Sequence, residues 1–262
     1  MNTNDLVSII TPSYNTAKFI NETIESVQKQ TYLNWEMIIV DDCSLDNTDA
    51  VVERYLDDKR IKYLKNKKNC GAAICRNKAL REAKGRWVAF LDSDDIWLPS
   101  KLEKQIRFME ANNYQFSYTD YEEINEEGKL LGVRITGPQK ITKYGMYNYC
   151  WPGCLTVMYE RKTIGLVQIK DIKKNNDYAM WLSICKKADC YLLKKALAKY
   201  RKRKNSISRH SIRTMVNWHY KIWREVEEKG TIVALWYTSC NLLFGFFKKI
   251  FFIKKYMRVY NG

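Results

Sequence analysis

Short apolar runs alternate with segments of helical periodicity through the first 115 residues, and this alternation constrains the fold more than any other feature of the chain. The apolar runs occupy residues 6–11, 35–40, 60–64 and 86–91, and the helical segments occupy residues 17–30, 47–56, 72–83 and 99–112. Strands that are apolar throughout have no side suited to water. The pattern therefore predicts an α/β fold with a mostly parallel sheet that helices flank on both faces.

Polar clusters follow three of the four predicted strands. They lie at residues 12–15, 41–44 and 92–95, directly after the first, second and fourth strands. In open parallel sheets, ligands bind beyond the carboxyl ends of the strands. The sequence therefore predicts a ligand site at this edge of the sheet.

Three carboxylates crowd the cluster after the fourth strand: Asp92, Asp94 and Asp95. Like charges this close are unfavourable unless a cation neutralises them. Mg²⁺ and Mn²⁺ prefer a few carboxylates together with phosphate oxygens, which makes these residues candidate metal ligands. The alternative is an Asp-Ser-Asp turn that caps the helix predicted to open at Pro99.

Asp41 and Asp42 end the second predicted strand. A carboxylate at this position can accept a hydrogen bond from a ribose hydroxyl or a base N–H. Capping is again the alternative, because Ser44 and Asn47 follow. No G-x-G-x-x-G follows the first strand and no G-x-x-x-x-G-K-[ST] occurs, so a dinucleotide site of the usual kind and a P-loop are disfavoured.

Beyond residue 115 the patterns are weaker and the charge becomes uneven. Strands are predicted at residues 116–121, 129–134 and 155–159, and helices at 177–187 and 211–228. The net charge is +16, and the chain from Lys186 onward holds about 19 basic and 4 acidic residues. A basic tail on a nearly neutral body predicts an anionic partner, either nucleic acid or anionic lipid.

The tail itself distinguishes these two partners. Residues 194–204 alone are typical of a nucleic-acid patch. However, residues 231–247 carry no charge and are followed by a mixture of Phe, Ile and Lys, which fits a membrane surface better. We therefore expect an anionic membrane surface and no nucleic acid as partner. An interfacial helix is favoured, with core packing and a marginal membrane span as alternatives.

Seven segments occur in one order over about 200 residues and give the chain a family resemblance. They are VSIITPSYN (7–15), SVQKQTY (26–32), WEMIIVDDCS (35–44), NCGAAICRN (69–77), AKGRWVAFLDSDDIW (83–97), NDYAMWL (176–182) and YRKRKNSIS (200–208). With them the chain resembles the family 2 glycosyltransferases of the GT-A fold, a Rossmann-like sheet flanked by helices. WPGCLTVMY (151–159) favours the bacterial subgroup that assembles teichuronic acid, capsule or O-antigen chains.

The resemblance implies a nucleotide site, a metal site and a catalytic base. Pro12, Tyr14 and Asn15 would line the base and ribose pocket, Asp42 would accept from the uracil ring with support from Asp41, Gly71 and Arg76 would border the nucleotide, and Asp92 would contact the ribose. Asp94 and Asp95 would hold Mn²⁺ or Mg²⁺ on the diphosphate. Asp177 would be the base, with a plain helix N-cap as its alternative role, and Trp151 would lie near the acceptor.

Two positions depart from the family pattern. Asn176 precedes the catalytic Asp177 where the family usually has Glu, which removes one carboxylate but keeps the base. Arg203 stands where family members often have His, and an arginine could replace that His by binding phosphate.

The resemblance implies an inverting, metal-dependent transfer from a nucleotide sugar, expected to be a UDP-sugar, to a glycan hydroxyl on a lipid diphosphate carrier. The expected domains are 1–208 for catalysis, with a nucleotide-binding half (1–115) and an acceptor-binding half (116–208), and 209–262 for a basic, amphipathic helical tail. No secretory signal is visible, so we expect a cytoplasmic enzyme, peripheral on the inner face of the cell membrane. The alternatives are a sugar-1-phosphate nucleotidyltransferase and a non-catalytic membrane-bound or RNA-binding module.

Overall fold

The computed structural model describes residues 5–172, 174–203 and 212–256, and these residues form one eleven-stranded mixed sheet flanked by helices. The strands are β1 (Val7–Ser13), β2 (Trp35–Asp41), β3 (Ile61–Lys65), β4 (Trp87–Phe90), β5 (Ile96–Trp97), β6 (Phe116–Ile124), β7 (Leu130–Ile135), β8 (Lys140–Ile141), β9 (Met158–Glu160), β10 (Cys190–Arg201) and β11 (Ile253–Lys255). The helices are α1 (Ile20–Gln28), α2 (Thr48–Glu53), α3 (Ala72–Glu82), α4 (Lys101–Asn112), α5 (Lys143–Asn148), α6 (Arg161–Ile164), α7 (Asn176–Cys185), α8 (Ile212–Lys221) and α9 (Thr231–Phe251). The predicted α/β fold class is confirmed.

The strands β3, β2, β1 and β4 lie side by side and are parallel. Successive residues of β1 point to opposite faces, and both faces are covered. Ile9 packs in the core that contains Ile24 of α1, and Ile10 packs in the core that contains Ala79 of α3. Burial on both sides explains why these strands are uninterrupted apolar runs.

The strand register brings the polar clusters to one edge. Ser13 of β1 is paired with Asp41 of β2, and the backbone N–H of Asp42 donates to the carbonyl of Ser13 at 2.8 Å. The N–H of Leu91, after β4, donates to the carbonyl of Ile10 at 3.1 Å. The loops after β1, β2 and β4 therefore emerge together, as the sequence predicts.

Beyond β4 the sheet becomes mixed. β9 is antiparallel to β4 and β6, whereas β10 is parallel to β6. The sequence did not predict β10, because register shifts between Leu193 and Ala198 interrupt its alternation and the exposed Lys194 and Lys195 give it the look of a basic patch. The predicted strand at 155–159 is shorter than expected, since a 3₁₀ turn occupies Cys154–Thr156 and β9 begins at Met158.

The described part of the tail packs on residues 116–208, the half predicted to bind the acceptor. After α8, a π-helical turn (Ile222–Val226) leads to α9, and β11 then pairs with β7 in antiparallel fashion. Trp223 packs edge-on against Tyr147 of α5 with ring centroids 5.2 Å apart, and it stacks on Tyr237 of α9 at 4.6 Å. The domain boundary at residue 208 stays a prediction, but this segment extends the sheet rather than standing apart. Among the described helices, none has the length and hydropathy that a membrane crossing requires.

Candidate active site

The loops after β1 and β2 are tied together by two of the predicted residues. The buried Asp41 carboxylate accepts from the N–H of Ser44 at 2.8 Å and from its Oγ at 2.5 Å. Asn15, whose φ of 51° lies in the left-handed region that Asn tolerates, accepts from the N–H of Leu45 at 2.8 Å. Its own N–H donates to Ser44 Oγ at 2.8 Å. These contacts make Asp41 a structural support of the loop after β2, and its role in nucleotide binding stays a prediction.

Asp42 lies at the centre of this edge and is held by the loop that precedes α3. Its carboxylate accepts from Asn66 Nδ2 at 3.0 Å, from the N–H of Cys70 at 2.8 Å and from the N–H of Gly71 at 2.6 Å. Gly71 has a φ of 90°, which favours glycine and turns its N–H toward the carboxylate. Burial alone would raise the pKa of Asp42, but these hydrogen bonds outweigh burial and lower it. Asp42 is therefore an ionised acceptor at neutral pH.

Pro12 and Tyr14 lie at the same edge of the sheet, on the side that faces solvent. Pro12 is half-buried at the end of β1, whereas Tyr14 is 44% exposed in the loop that follows. An exposed aromatic ring beside an ionised acceptor is suited to stacking on a base. The structure thus brings Pro12, Tyr14, Asn15, Asp41, Asp42 and Gly71 to one edge.

Arg76 of α3 joins Asp92, in the loop after β4, to the start of α7. The guanidinium is buried and donates from Nη2 to Asp92 Oδ1 at 2.5 Å and from Nη1 to Asn176 Oδ1 at 2.5 Å. It also interacts electrostatically with Asp177. The amide oxygen of Asn176 therefore accepts from this arginine, so the departure from the family's Glu keeps a hydrogen-bond acceptor without adding a charge.

Asp177 is the second residue of α7 and is half-buried. Burial raises the pKa of its carboxyl group, and Arg76 offsets only part of this rise, while Asp92 adds to it. The first-turn N–H groups of α7 face this carboxyl group. Asp177 thus lies at a helix start, close to Arg76 and Asp92, and its pKa is raised. These are the placement and the proton affinity that a general base needs.

The acidic turn after β4 (92–95) is held by Arg201 at the end of β10 and by Arg203, two residues further on. Asp94 Oδ2 pairs with Arg203 Nη1 at 2.9 Å. Asp95 is 1% exposed, and its Oδ1 accepts from the N–H of Arg201 at 2.8 Å. Burial and the neighbouring carboxylates raise the pKa of both Asp94 and Asp95. Within the described segments, Asp95 Oδ2 is buried without a hydrogen-bond partner, which leaves one oxygen for a cation.

The metal assignment can be tested against these donors. In the part of the chain that the structure describes, no three or more His, Cys, Asp or Glu side chains are grouped so as to hold a metal. Asp94 and Asp95 Oδ2 supply two carboxylates. Mg²⁺ commonly binds one or two carboxylates and takes its other ligands from substrate phosphates and water. The residues present therefore fit Mn²⁺ or Mg²⁺ when it is carried on a nucleoside diphosphate.

Arg201, at the end of β10, is not among the residues that the sequence singles out, yet it holds the acidic turn in place. Its side chain is fully buried and donates from Nε to the carbonyl of Asp94 at 2.8 Å, from Nη1 to the carbonyl of Glu126 at 2.8 Å and from Nη2 to Glu22 Oε2 at 2.9 Å. Together with its backbone bond to Asp95, this arginine clamps the acidic turn against β10. The available signal was an arginine two residues before Arg203, within the family segment 200–208.

Trp151 is placed differently from an open sugar platform. Its side chain is 6% exposed, its Nε1 donates to the carbonyl of Gly145 at 3.1 Å, and its ring packs edge-on against Phe244 and Phe252. The ring is therefore buried between the tail and Tyr149, which also contacts it edge-on. The acceptor role of Trp151 stays a prediction. Its backbone carbonyl accepts from Lys248 Nζ at 2.8 Å.

A parallel half joined to a mixed half in one sheet is the arrangement of the GT-A fold, and the crystal structure of S. aureus TarS 1-349 matches it with a TM-score of 0.68 at 21% identity, covering 90% of this chain and 70% of that one. The family model described as Glycosyl transferase family 2 matches residues 8–165. The chain belongs to this family, and it is a glycosyltransferase.

Three similar proteins place the chain within the family. TuaG of Bacillus subtilis (strain 168), named for teichuronic acid biosynthesis, is 42% identical over 233 residues, covering 88% of this chain and 92% of TuaG. The Escherichia coli UDP-Glc:alpha-D-GlcNAc-diphosphoundecaprenol beta-1,3-glucosyltransferase WfgD is 44% identical over 212 residues, covering 80% and 82%. The structure of S. aureus TarS 1-349 with UDP-GlcNAc has a TM-score of 0.66 at 22% identity, covering 87% and 69%, and supports the fold alone. The predicted bacterial surface-polysaccharide subgroup is confirmed.

Proposed function

We propose that this glycosyltransferase moves a sugar from a UDP-sugar to a hydroxyl of a sugar carried on a lipid diphosphate, with inversion at the anomeric carbon. The observation that carries the proposal is the position of Asp177, which lies at the start of α7 in one electrostatic cluster with Arg76 and Asp92. The name of WfgD supplies the class of donor and acceptor.

The donor site follows from the loop edge. Tyr14 would stack on the uracil, and Asp42 would accept from the uracil N–H with the capacity that its three existing hydrogen bonds leave. Asp92, which Arg76 orients, would accept from the ribose. Glycosyl transfer is favoured over the nucleotidyltransferase and the non-catalytic alternatives by the family and by this arrangement of a base beside a nucleotide site.

The leaving diphosphate requires positive charge. Asp94 and Asp95 would hold Mn²⁺ or Mg²⁺, which would neutralise charge on the departing nucleoside diphosphate. Arg203 already lies against Asp94 and would add its guanidinium to the phosphates. This role would account for Arg203 in place of the usual His.

The chemical step is a single displacement. Asp177 takes the proton of the acceptor hydroxyl while that oxygen forms a bond to the anomeric carbon. The bond from this carbon to the diphosphate oxygen breaks, and the nucleoside diphosphate leaves with the electron pair. One displacement inverts the configuration, and Arg76 keeps Asp92 and α7 in register during the reaction.

Product analysis tests the proposal. Purified enzyme with Mn²⁺, a panel of nucleotide sugars and a synthetic lipid-diphosphate monosaccharide should yield an acceptor heavier by one sugar in mass spectrometry, and reactions without acceptor should not. Synthesis of a nucleotide sugar from UTP and a sugar 1-phosphate would instead support the nucleotidyltransferase alternative and contradict the proposal.

We also propose that α9 docks the enzyme on an anionic membrane surface as a peripheral protein. Its outer face exposes Trp236 (66%), Leu243 (55%), Phe246 (62%) and Ile250 (55%), beside the exposed Lys249. An exposed apolar face with adjoining lysines is typical of interfacial helices. Such binding should weaken with salt, because the lysines contribute through screened charges.

Flotation with vesicles of phosphatidylcholine and phosphatidylglycerol tests this docking. Trp236→Gln combined with Phe246→Gln should remove flotation at low salt, because both side chains lie on the outer face of α9. The matched control combines Leu33→Gln and Leu45→Gln, two leucines exposed elsewhere on the molecule, and should float like the parent. Equal flotation of all three proteins would contradict the assignment of this face.

A further inference from the structure

One lysine of the tail helix α9, Lys248, faces the acceptor-binding half (116–208). Lys248 Nζ donates to the carbonyl of Trp151 at 2.8 Å and lies 5.3 Å from the centroid of the Tyr149 ring. Along the described segments, this carbonyl is its one hydrogen-bond acceptor, and no carboxylate pairs with it. Lys248 is half-buried, whereas its neighbour Lys249 is exposed.

The position of Lys248 is fixed relative to the proposed base. Asn241, two turns earlier in α9, donates to the carbonyls of Tyr147 at 3.0 Å and Asn148 at 2.7 Å and to Tyr178 Oη at 3.1 Å. Tyr178 is the residue that follows Asp177 in α7. The tail helix is therefore bonded directly to the helix that carries the base.

Lys248 lies close enough to Asp177 to interact with it electrostatically. Burial lowers the pKa of Lys248, and the nearby acidic groups, Cys150 and Asp177, offset this only in part. A partly desolvated ammonium group that lacks a carboxylate partner gains from binding an anion. Lys248 lies near Asp177 without bonding to it. The anion would therefore belong to a part of the substrate that lies beside the attacking hydroxyl.

We propose that Lys248 binds the diphosphate of the lipid-linked acceptor and holds it one sugar ring away from Asp177. The inference rests on the proposed function, in which the attacking hydroxyl and the diphosphate belong to the same acceptor sugar. The hydroxyl would contact Asp177, and the diphosphate of the same sugar would reach Lys248, which α9 holds near α7 through the bonds of Asn241 and of Lys248 itself. The lipid chain then continues along the exposed face of α9, toward Phe247 and Phe251.

Acceptor kinetics in neutral detergent, without anionic lipid, test this role and exclude a lipid headgroup as the anion. One acceptor is a short-chain prenyl-diphosphate monosaccharide, and the other is the same sugar as an alkyl glycoside without phosphate. Lys248→Gln should raise the KM for the diphosphate acceptor about tenfold or more, because a charge-assisted hydrogen bond is lost. The KM for the alkyl glycoside and for the donor should not change. Lys248→Arg should recover most of the affinity.

Lys104→Gln is the control, because it removes the same charge from an exposed position on α4 and should leave both acceptors unaffected. Equal losses with both acceptors, or none with either, would overturn the role of Lys248. If the alkyl glycoside is not a substrate, calorimetry of the diphosphate acceptor decides, and unchanged affinity in Lys248→Gln overturns the inference. A parent enzyme that uses neither acceptor would instead refute the proposed function.

Discussion

Replacing Arg201 with Met should loosen the acidic turn while keeping the length and apolar stem of the side chain. The substitution removes the hydrogen bonds to the carbonyls of Asp94 and Glu126 and the ion pair with Glu22. The backbone bond from residue 201 to Asp95 remains. The acidic turn should therefore stay attached to β10 but lose the clamp that fixes the Asp94 backbone.

The size of this effect follows from the burial of each partner. The arginine side chain is fully buried, so the carbonyls of Asp94 and Glu126 lose their partner where water enters poorly. Hydrogen bonds from charged groups contribute about 1.5–3 kcal/mol each. Glu22 is 42% exposed and can be solvated after the change, so its ion pair adds little. We expect a loss of about 3 kcal/mol in the free energy of unfolding and weaker Mn²⁺-dependent UDP binding.

Denaturant unfolding and calorimetry with UDP and Mn²⁺ measure the two effects. The matched control is Arg107→Met, which removes an exposed arginine paired with Glu103 on α4 and should change the stability by less than about 1 kcal/mol. If Arg201→Met were as stable as Arg107→Met and bound UDP as tightly as the parent, the clamp from β10 would be refuted.

Three further outcomes follow from the site. Asp94→Asn should weaken UDP binding about tenfold or more in Mn²⁺ but little without metal, and calorimetry showing equal loss in both conditions would contradict the metal assignment. Because the pKa of Asp177 is raised, the acidic limb of the kcat/KM profile should lie above the usual range for an aspartate, with activity lost as the pH falls through it; a limb at about 3.9 would contradict this. The raised folded-state pKa also means that ionisation above the unfolded pKa destabilises the fold, and this destabilisation is present at pH 7. Asp177→Asn should therefore unfold at the same or a higher temperature than the parent at pH 7, and a clearly lower Tm would refute the reasoning.

The nucleotide-binding half could be predicted from the sequence because its signals are local. A strand buried on both faces is a continuous apolar run, and the polar cluster that follows it marks the ligand edge. The positions of Asp42 and Asp177 follow from family segments that this chain retains. Their polar neighbours do not, since the hydrogen bond from Asn66 to Asp42 and the electrostatic interaction of Arg76 with Asp177 form only in the tertiary fold.

The other half was less predictable because its determinants are long-range. The bulges in β10 interrupt the alternation of apolar and polar residues that marks a strand. Because the strand was not predicted, the position of Arg201 at its end was not predicted either. The sequence places Trp151 in a loop, but it does not show that the ring packs against Phe244 and Phe252 of the distant tail. Likewise, an uncharged run indicates an apolar helix but does not show that its inner face bonds to α7 through Asn241.

The most direct test that Asp177 is the base of an acceptor-dependent glycosyl transfer compares the transfer rate with donor binding in Asp177→Asn. The amide keeps the shape of the side chain but cannot take the proton of the acceptor hydroxyl. We predict that the transfer rate falls about a hundredfold or more while the affinity for UDP and Mn²⁺ matches that of the parent. A folded Asp177→Asn enzyme that retained more than about a tenth of the transfer rate would show that Asp177 is not the base, because general-base catalysis normally contributes more than this.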